Sequence, residues 1–277
     1  MLLNRAKNIV DWSRFTDMTV EEVAANLSEQ EIEFLLTVHE SDADDERFGK
    51  FKYLFPDETT VVGNSVYYAR RLYRQHLEFF RLGAQVRARC FMAANRVGKT
   101  FSAGGYEMSC HLTGRYPAWW PGRRFKHPVR AWACGKTNET TRDIVQTTLL
   151  GDIEYLGMRK VVDGSGVIPK DCIGTQAGSI AWKQGVQDLL DTIKIKHITG
   201  GWSKLGFKSY QQGRGSFEGT AQHVIWDDEE PPIDVYNEQV IRTATTRGII
   251  MVTFTPLEGM SDVVRQFLPD DEEVIGA

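Results

Sequence analysis

The chain has 277 residues, 42% apolar and 25% charged, with a formal net charge of −4: an ordinary soluble-globular composition, long enough to bury a full core. No apolar run is long enough for a bilayer, the opening MLLNRAKNIVDWSR carries charges too early for a secretory signal, and Cys90, Cys110, Cys134 and Cys172 form no C-x-x-C pair. Membrane spanning, secretion and a cysteine metal centre are therefore set aside, and a reduced, cytosolic setting is implied. The acidic balance argues against tight nucleic-acid binding by one isolated copy, but not against a local basic surface or a channel assembled from several.

Residues 1–60 read as a helical appendage. Thr19-x-x-Glu22 and Ser28-x-x-Glu31 fit the capping box, and Ile32, Leu35 and Leu36 give the second helix an apolar stripe. The acidic run 41–46 reads as a solvated loop. A long amphipathic helix is predicted over 65–82, closed by Gly83. Apolar runs then alternate with helical ones: a strand over 86–92, a helix over 100–112 ended by Thr113-Gly114, and a strand over 129–134. A helix capped by Asn138 follows and stops at Gly151, and further on come a strand over 224–226, a helix over 233–243 and a strand over 248–254. This alternation predicts an α/β fold with a mainly parallel sheet and right-handed crossovers. The rhythm breaks over 151–215, where Gly and Lys are frequent and short pieces alternate, which suggests a hairpin or lid inserted in the sheet. There is no internal repeat and no low-complexity tract.

Two segments carry chemistry. Ala93-Ala94-Asn95-Arg96-Val97-Gly98-Lys99-Thr100 follows an apolar run and opens a helix. It matches the phosphate-loop pattern G-x-x-x-x-G-K-[ST], with Ala93 in place of the first glycine. Gly98 permits the tight turn that aims backbone N–H groups at phosphate oxygens. Lys99 reaches the β- and γ-phosphates, Thr100 offers a hydroxyl to Mg²⁺, and the helix dipole favours the same anion. Far downstream, Val224-Ile225-Trp226 runs into Asp227-Asp228-Glu229-Glu230. A buried strand ending in acids places carboxylates where an open α/β sheet holds ligands. Asp228 is assigned to the metal and Glu229 to polarising the attacking water. The pairing points to nucleotide hydrolysis.

With the phosphate loop and the acidic strand, His111-Leu112-Thr113-Gly114-Arg115-Tyr116-Pro117-Ala118-Trp119-Trp120 and Thr253-Phe254-Thr255-Pro256-Leu257 resemble the large terminase subunit of tailed bacteriophages, over about residues 65–265. The resemblance implies a P-loop NTPase of the ASCE type, with a central sheet flanked by helices, over 61–277, the lid-like insertion lying at about 151–215. It implies ATP and Mg²⁺ as cofactors and a motor that drives double-stranded DNA into a procapsid. It further implies a capsid portal, a small terminase subunit and a homo-oligomeric ring as partners, in the host cytoplasm and transiently on the procapsid. Ala94, Asn95, Arg96, Val97, Gly98, Lys99 and Thr100 match the nucleotide-binding loop, and Gln75 resembles the adenine-reading glutamine. Arg96 is a candidate for the γ-phosphate. Thr253 and Thr255 resemble the coupling motif that senses γ-phosphate loss. Asp227 stands where the family has an apolar residue, so Asp227 is an alternative to Asp228 as metal ligand.

For the arginine that acts on a neighbouring subunit's ATP, the aligned position is Glu218; Arg214 is preferred, with Arg242 and Arg142 as further candidates. The family continues into a ribonuclease-H-like nuclease domain, and the expectation is that this domain and its activity are absent from this chain. Two stretches are candidates for DNA contact: Arg115, Trp119, Trp120, Arg123, Arg124, Lys126 and Arg130, where core packing of the tryptophans is the stronger reading, and Lys183, Lys194, Lys196, Lys204, Lys208 and Arg214 in the expected lid, where ordinary solvation competes. A helicase-like or remodelling ATPase and an ATP-gated scaffold are the alternative functions.

Overall fold

Reciprocal caps set the first two helices. Thr19 Oγ1 accepts from Glu22 N (3.3 Å) and Glu22 accepts from Thr19 N (2.8 Å), opening Val20–Asn26. Ser28 and Glu31 repeat the exchange and open Glu29–Phe48. The computed structural model describes residues 10–16, 18–256 and 259–268. In it the second helix runs straight through the acidic stretch 41–46, which is therefore not a loop. No Gly or Pro interrupts it before Gly49, and Gly49 ends it at a φ of 51°. Its far end is clasped to the body by Arg47, which donates to Asp171 at 2.7 Å. Ile32 (39% exposed) and Leu36 (56%) leave its apolar stripe uncovered by the described residues.

The expected long helix over 65–82 is replaced by two elements. Strands β1 (Thr60–Val62) and β2 (Ser65–Tyr67) pair antiparallel. The two-residue turn Gly63-Asn64, with Gly63 at φ 58°, and β-branched Val61, Val62 and Val66 override the helical pattern. The helix itself spans only Arg74–Leu82.

The remaining strands are β3 (Ala88–Met92), β4 (Arg130–Gly135), β5 (Ile153–Leu156), β6 (Arg159–Val162), β7 (Ile180–Trp182), β8 (Leu190–Lys196), β9 (Trp202–Ser209), β10 (Val224–Asp228) and β11 (Ile249–Phe254). Seven form one sheet in the order β3-β11-β10-β4-β9-β8-β7. The first five are mutually parallel; β8 and β7 continue the sheet antiparallel. The mainly parallel α/β sheet read from the alternation is thus present, and β11 lies between the phosphate-loop strand and the acidic strand. Of the expected lid, β7, β8 and β9 are integral strands of this sheet, and β5–β6 form a separate hairpin.

Helices cover both faces. The phosphate-loop helix begins with wide turns over Lys99–Gly105, continues as Tyr106–Thr113 and stops at Gly114, φ 70°. It packs with Leu149 and Leu150 against Ala131, Ala133, Val224, Trp226 and Met251. Gly104 permits the approach: a Cβ there would lie 2.2 Å from the Trp226 ring. Helix Ile233–Ala244 covers the opposite face, placing Val235 and Tyr236 on Trp132, Ile225, Ile250 and Val252. The segment from Asn138–Thr140 to Thr147–Leu150 is capped by Thr137 rather than Asn138; Thr137 Oγ1 accepts from Thr140 N at 3.1 Å.

Candidate active site

Strand alternation decides which acid faces the phosphate loop. Along β10, Val224 and Trp226 point to the phosphate-loop helix and Ile225 points away, so period two sends Asp228 with the former and Asp227 with the latter. Asp228 Oδ1 accepts from Thr100 Oγ1 at 2.8 Å and from Thr253 Oγ1 at 3.0 Å. Burial pushes its carboxyl up to about 6, against the two threonine hydrogen bonds and with help from the neighbouring Glu229 charge. Asp227 is fully buried on the other face. It accepts from Gln239 Nε2 at 2.7 Å, lies 3.3 Å from the Tyr210 hydroxyl, and is pushed by burial up to about 7. It does not meet the loop.

The loop is built around Lys99. Its ammonium donates to Ala93 O (2.9 Å), Ala94 O (2.7 Å) and Thr255 Oγ1 (2.9 Å), occupying all three of its protons. Thr255 Oγ1 donates onward to Asn95 Oδ1 at 2.8 Å, and Ala93 N donates to Phe254 O at 3.3 Å. The end of β11 therefore touches both halves of the site, Thr253 on Asp228 and Thr255 on Lys99. Gly98 turns the chain at φ 84°, and Arg96 holds a left-handed φ of 65° although it is not glycine. Arg96 and Val97 are exposed.

Glu229 leaves the strand at φ 79°, its N–H donating to Thr253 O at 2.9 Å and its carbonyl accepting from Tyr210 OH at 2.9 Å. Its side chain is exposed and lines a cavity of about 550 Å³ with Lys136, Tyr210, Gln211, Pro232 and Thr255. Gln75 is exposed in the first turn of Arg74–Leu82 and lines a cavity of about 430 Å³ with Arg74, Phe91 and Met92, beside the edge strand β3.

The arginines proposed to act in trans have partners within the chain. Arg214 reaches Glu238 at 3.0 Å and Arg242 reaches the other oxygen of that carboxylate at 2.9 Å. Arg142 pairs with Asp143 at 2.6 Å. Glu218, at the aligned position, lies 3.9 Å from Arg214. No described contact joins these arginines to the phosphate loop, Asp228 or Glu229. Much of the first basic-aromatic stretch is likewise committed to structure, Lys126 and Arg130 being exposed. Arg115 makes a bidentate pair with Asp171 at 2.9 Å, Arg123 donates to Arg247 O at 2.6 Å, Arg124 donates to Pro117 O at 3.1 Å, and Trp120 is buried.

Two features of the site escaped the sequence reading. Tyr210 supports Glu229 across 19 residues, with no local signal. Arg89, Glu107 and His111 form a buried charged network behind the loop: Arg89 donates to Glu107, His111 Nε2 lies 3.0 Å from Glu107 Oε1, and His111 Nδ1 lies 2.9 Å from Tyr116 OH. Here a signal existed, since Glu107 and His111 stand four apart on one helix.

Residues 90–275 match the family described as terminase large subunit, T4likevirus-type, N-terminal. The chain belongs to the terminase large-subunit family. It is 38% identical to the terminase large subunit of Salmonella phage P22 over 234 residues, 78% of this chain and 45% of that protein; the chain thus spans under half the length of this curated relative. The large terminase of a thermophilic bacteriophage, solved in complex with ADP, aligns with 65% of this chain and 37% of its own, at 14% identity and a TM-score of 0.40.

Within a terminase, one hydroxyl beside one carboxylate is a donor set suited to Mg²⁺, which takes hard oxygens, one or two carboxylates and the oxygens of its nucleotide. Among the described residues no group of three or more His, Cys, Asp or Glu gathers to hold a metal.

Proposed function

We propose that this chain is the ATP-hydrolysing motor part of a terminase that moves double-stranded DNA into a procapsid. The observation that supports it most is the 2.8 Å contact from Thr100 in the phosphate loop to Asp228 at the end of a strand two places away. Thr100 and Asp228 would hold Mg²⁺, which neutralises charge on the β- and γ-oxygens when bound. Backbone N–H groups of Ala94, Asn95, Val97 and Gly98 cradle the phosphates, with Lys99 exchanging its loop carbonyls for phosphate oxygens. Gln75 contacts the adenine edge from the rim of its cavity. Glu229 orients the attacking water in the adjoining cavity. Arg96 supplies positive charge from within the loop.

Thr253 and Thr255 couple the halves: loss of the γ-phosphate changes what Lys99 and Asp228 hold, one bond ending on β11 at Thr253 and the other on Thr255, the residue just past it. Arg214 is the trans arginine. It is half-exposed, and because Arg242 keeps the other oxygen of Glu238, releasing Arg214 does not strand a buried carboxylate without a cation. A ring of copies at a capsid portal, fed by a small terminase subunit in the host cytoplasm, completes the reading.

The test is phosphate release over a wide range of protein concentration, with and without duplex DNA. Turnover per subunit should rise with concentration as neighbours supply Arg214, and rise again with DNA. Turnover indifferent to both would overturn the motor reading.

A further inference from the structure

The outer face of β4, β9 and β8 is laid out against its own stability. Arg130 on β4 pairs in register with Lys204 on β9, and Lys204 pairs with Lys194 on β8. Ala131, Leu205 and Ile193, one residue along each strand, face the phosphate-loop core, so the three cations share the opposite face. Neighbouring strands are about 4.8 Å apart, and like charges directly across a sheet repel. Lys196 continues the row; Lys208, on the same side of β9, is instead held by Ser216 O at 2.8 Å. Among the described residues none of Arg130, Lys194, Lys196 and Lys204 has a carboxylate within ion-pair distance, and all four are exposed. Helix Ile233–Ala244 covers the strands on one side of this face, and the apolar cluster it builds holds residues of β4, β10 and β11 and none of β8 or β9.

What remains is an open strip bordering a groove of about 450 Å³, in which Lys204 and Lys208 line the strand side and Thr220 and Gln222 the other. Asp191 and Glu218 are the acids on that groove; Glu218 lies 3.9 Å from Arg214. Trp132 is buried edge-on against Phe217, 5.7 Å between ring centroids. The groove therefore offers bases no flat aromatic platform, which single-strand binders use. Its chemistry is for phosphate. A row of unpaired cations in a chain of net charge −4 is compensated when a polyanion lies across it.

We infer that this strip, Arg130–Lys204–Lys194 with Lys196, is where the sugar-phosphate backbone of duplex DNA tracks over the motor. The inference rests on the DNA-translocase reading above and adds the surface; of the first basic stretch Arg130 belongs to it, whereas Arg115, Arg123 and Arg124, committed to Asp171 and backbone carbonyls, do not.

The test is binding of a mixed-sequence duplex by fluorescence anisotropy across a salt series, comparing the chain with its triple variant Arg130→Gln/Lys194→Gln/Lys204→Gln. Removing three phosphate contacts should reduce the slope of log K against log salt by about 2.7, at about 0.9 per phosphate on duplex DNA. DNA stimulation of ATP turnover should fall with it. Basal turnover should stay, because none of the three is in the nucleotide site, and the melting temperature should hold or rise as the repulsion is relieved. An unchanged slope and affinity in the variant overturns the assignment, as does a variant that changes self-association but not DNA affinity, which would give the face to a second copy. If the parent's turnover responds to DNA and the variant's responds equally, only the surface is wrong. If the parent neither binds duplex nor responds to it, the motor reading falls as well.

Discussion

Glu229→Gln should lower ATP turnover by about 10²- to 10⁴-fold while leaving nucleotide binding within a few-fold of the parent. The substitution keeps size and shape but removes the charge proposed to orient water and take its proton. Both backbone groups of Glu229 are already fixed, N–H on Thr253 O and carbonyl on Tyr210 OH, so the amide should sit where the carboxylate did. No described hydrogen bond ends on the Glu229 carboxylate, so none is lost from the fold. Asp227→Asn is the informative contrast: its side chain lies on the far face of β10 with Gln239, and it should leave turnover within a few-fold. Phosphate release at saturating Mg·ATP, beside titration with a fluorescent nucleotide, measures both. Near-parental turnover in Glu229→Gln, or a collapse in Asp227→Asn matching that of Asp228→Asn, would reverse the assignment.

The second large effect is on stability. Glu107→Ala should cost about 3–5 kcal/mol, since it leaves Arg89 buried without its partner. At roughly 2–4 °C per kcal/mol for a chain of this size, the melting temperature should fall by roughly 10 °C. Arg89 is 3% exposed and Glu107 and His111 are 0%, so solvent cannot take over. Burial pushes the Glu107 carboxyl up, but the Arg89 charge and the His111 hydrogen bond outweigh it and hold it below its usual value. Arg89 has little room to withdraw: its guanidinium sits over Phe79, 4.5 Å from the ring centroid, and against Gly83. Removing both charges, as Arg89→Met/Glu107→Leu, should recover most of the loss, because a buried ion pair is worth little more than well-packed apolar side chains. Thermal melts of the two singles and the double give the coupling. A Glu107→Ala loss under about 1 kcal/mol would mean the network is not what fastens the phosphate-loop helix to β3.

The parts of this molecule legible in its sequence are those set by contacts near in the chain. The phosphate loop, its helix and the acidic end of β10 announce themselves by residue type and by the change from apolar run to turn. The two capping boxes announce themselves by a spacing of three. The hairpin β1–β2 was hidden because 65–82 also fits a helical period, although Gly63-Asn64 carried the decisive turn signal. Membership of β8 and β9 in the central sheet could not be read, since the pairing of Arg130 with Lys204 joins residues far apart and alternation alone does not name a neighbour. The choice between Asp227 and Asp228 needed only the face of Trp226, which the strand's partners supply. Glu107 went unread because a carboxylate inside a helix looks solvated until Arg89 is found across from it.

Arg96 and Glu229 occupy left-handed backbone, at φ 65° and 79°, where an L-residue is disfavoured by roughly 1–2 kcal/mol and glycine is not. These are the two positions at which the loop's cation and the carboxylate proposed to orient water are placed. A collection of variants sorted only by survival on heating would therefore drift toward glycine at 96 and 229. Such a lineage would grow hardier while losing its enzyme, and the damage would not show in any screen that scores folding alone.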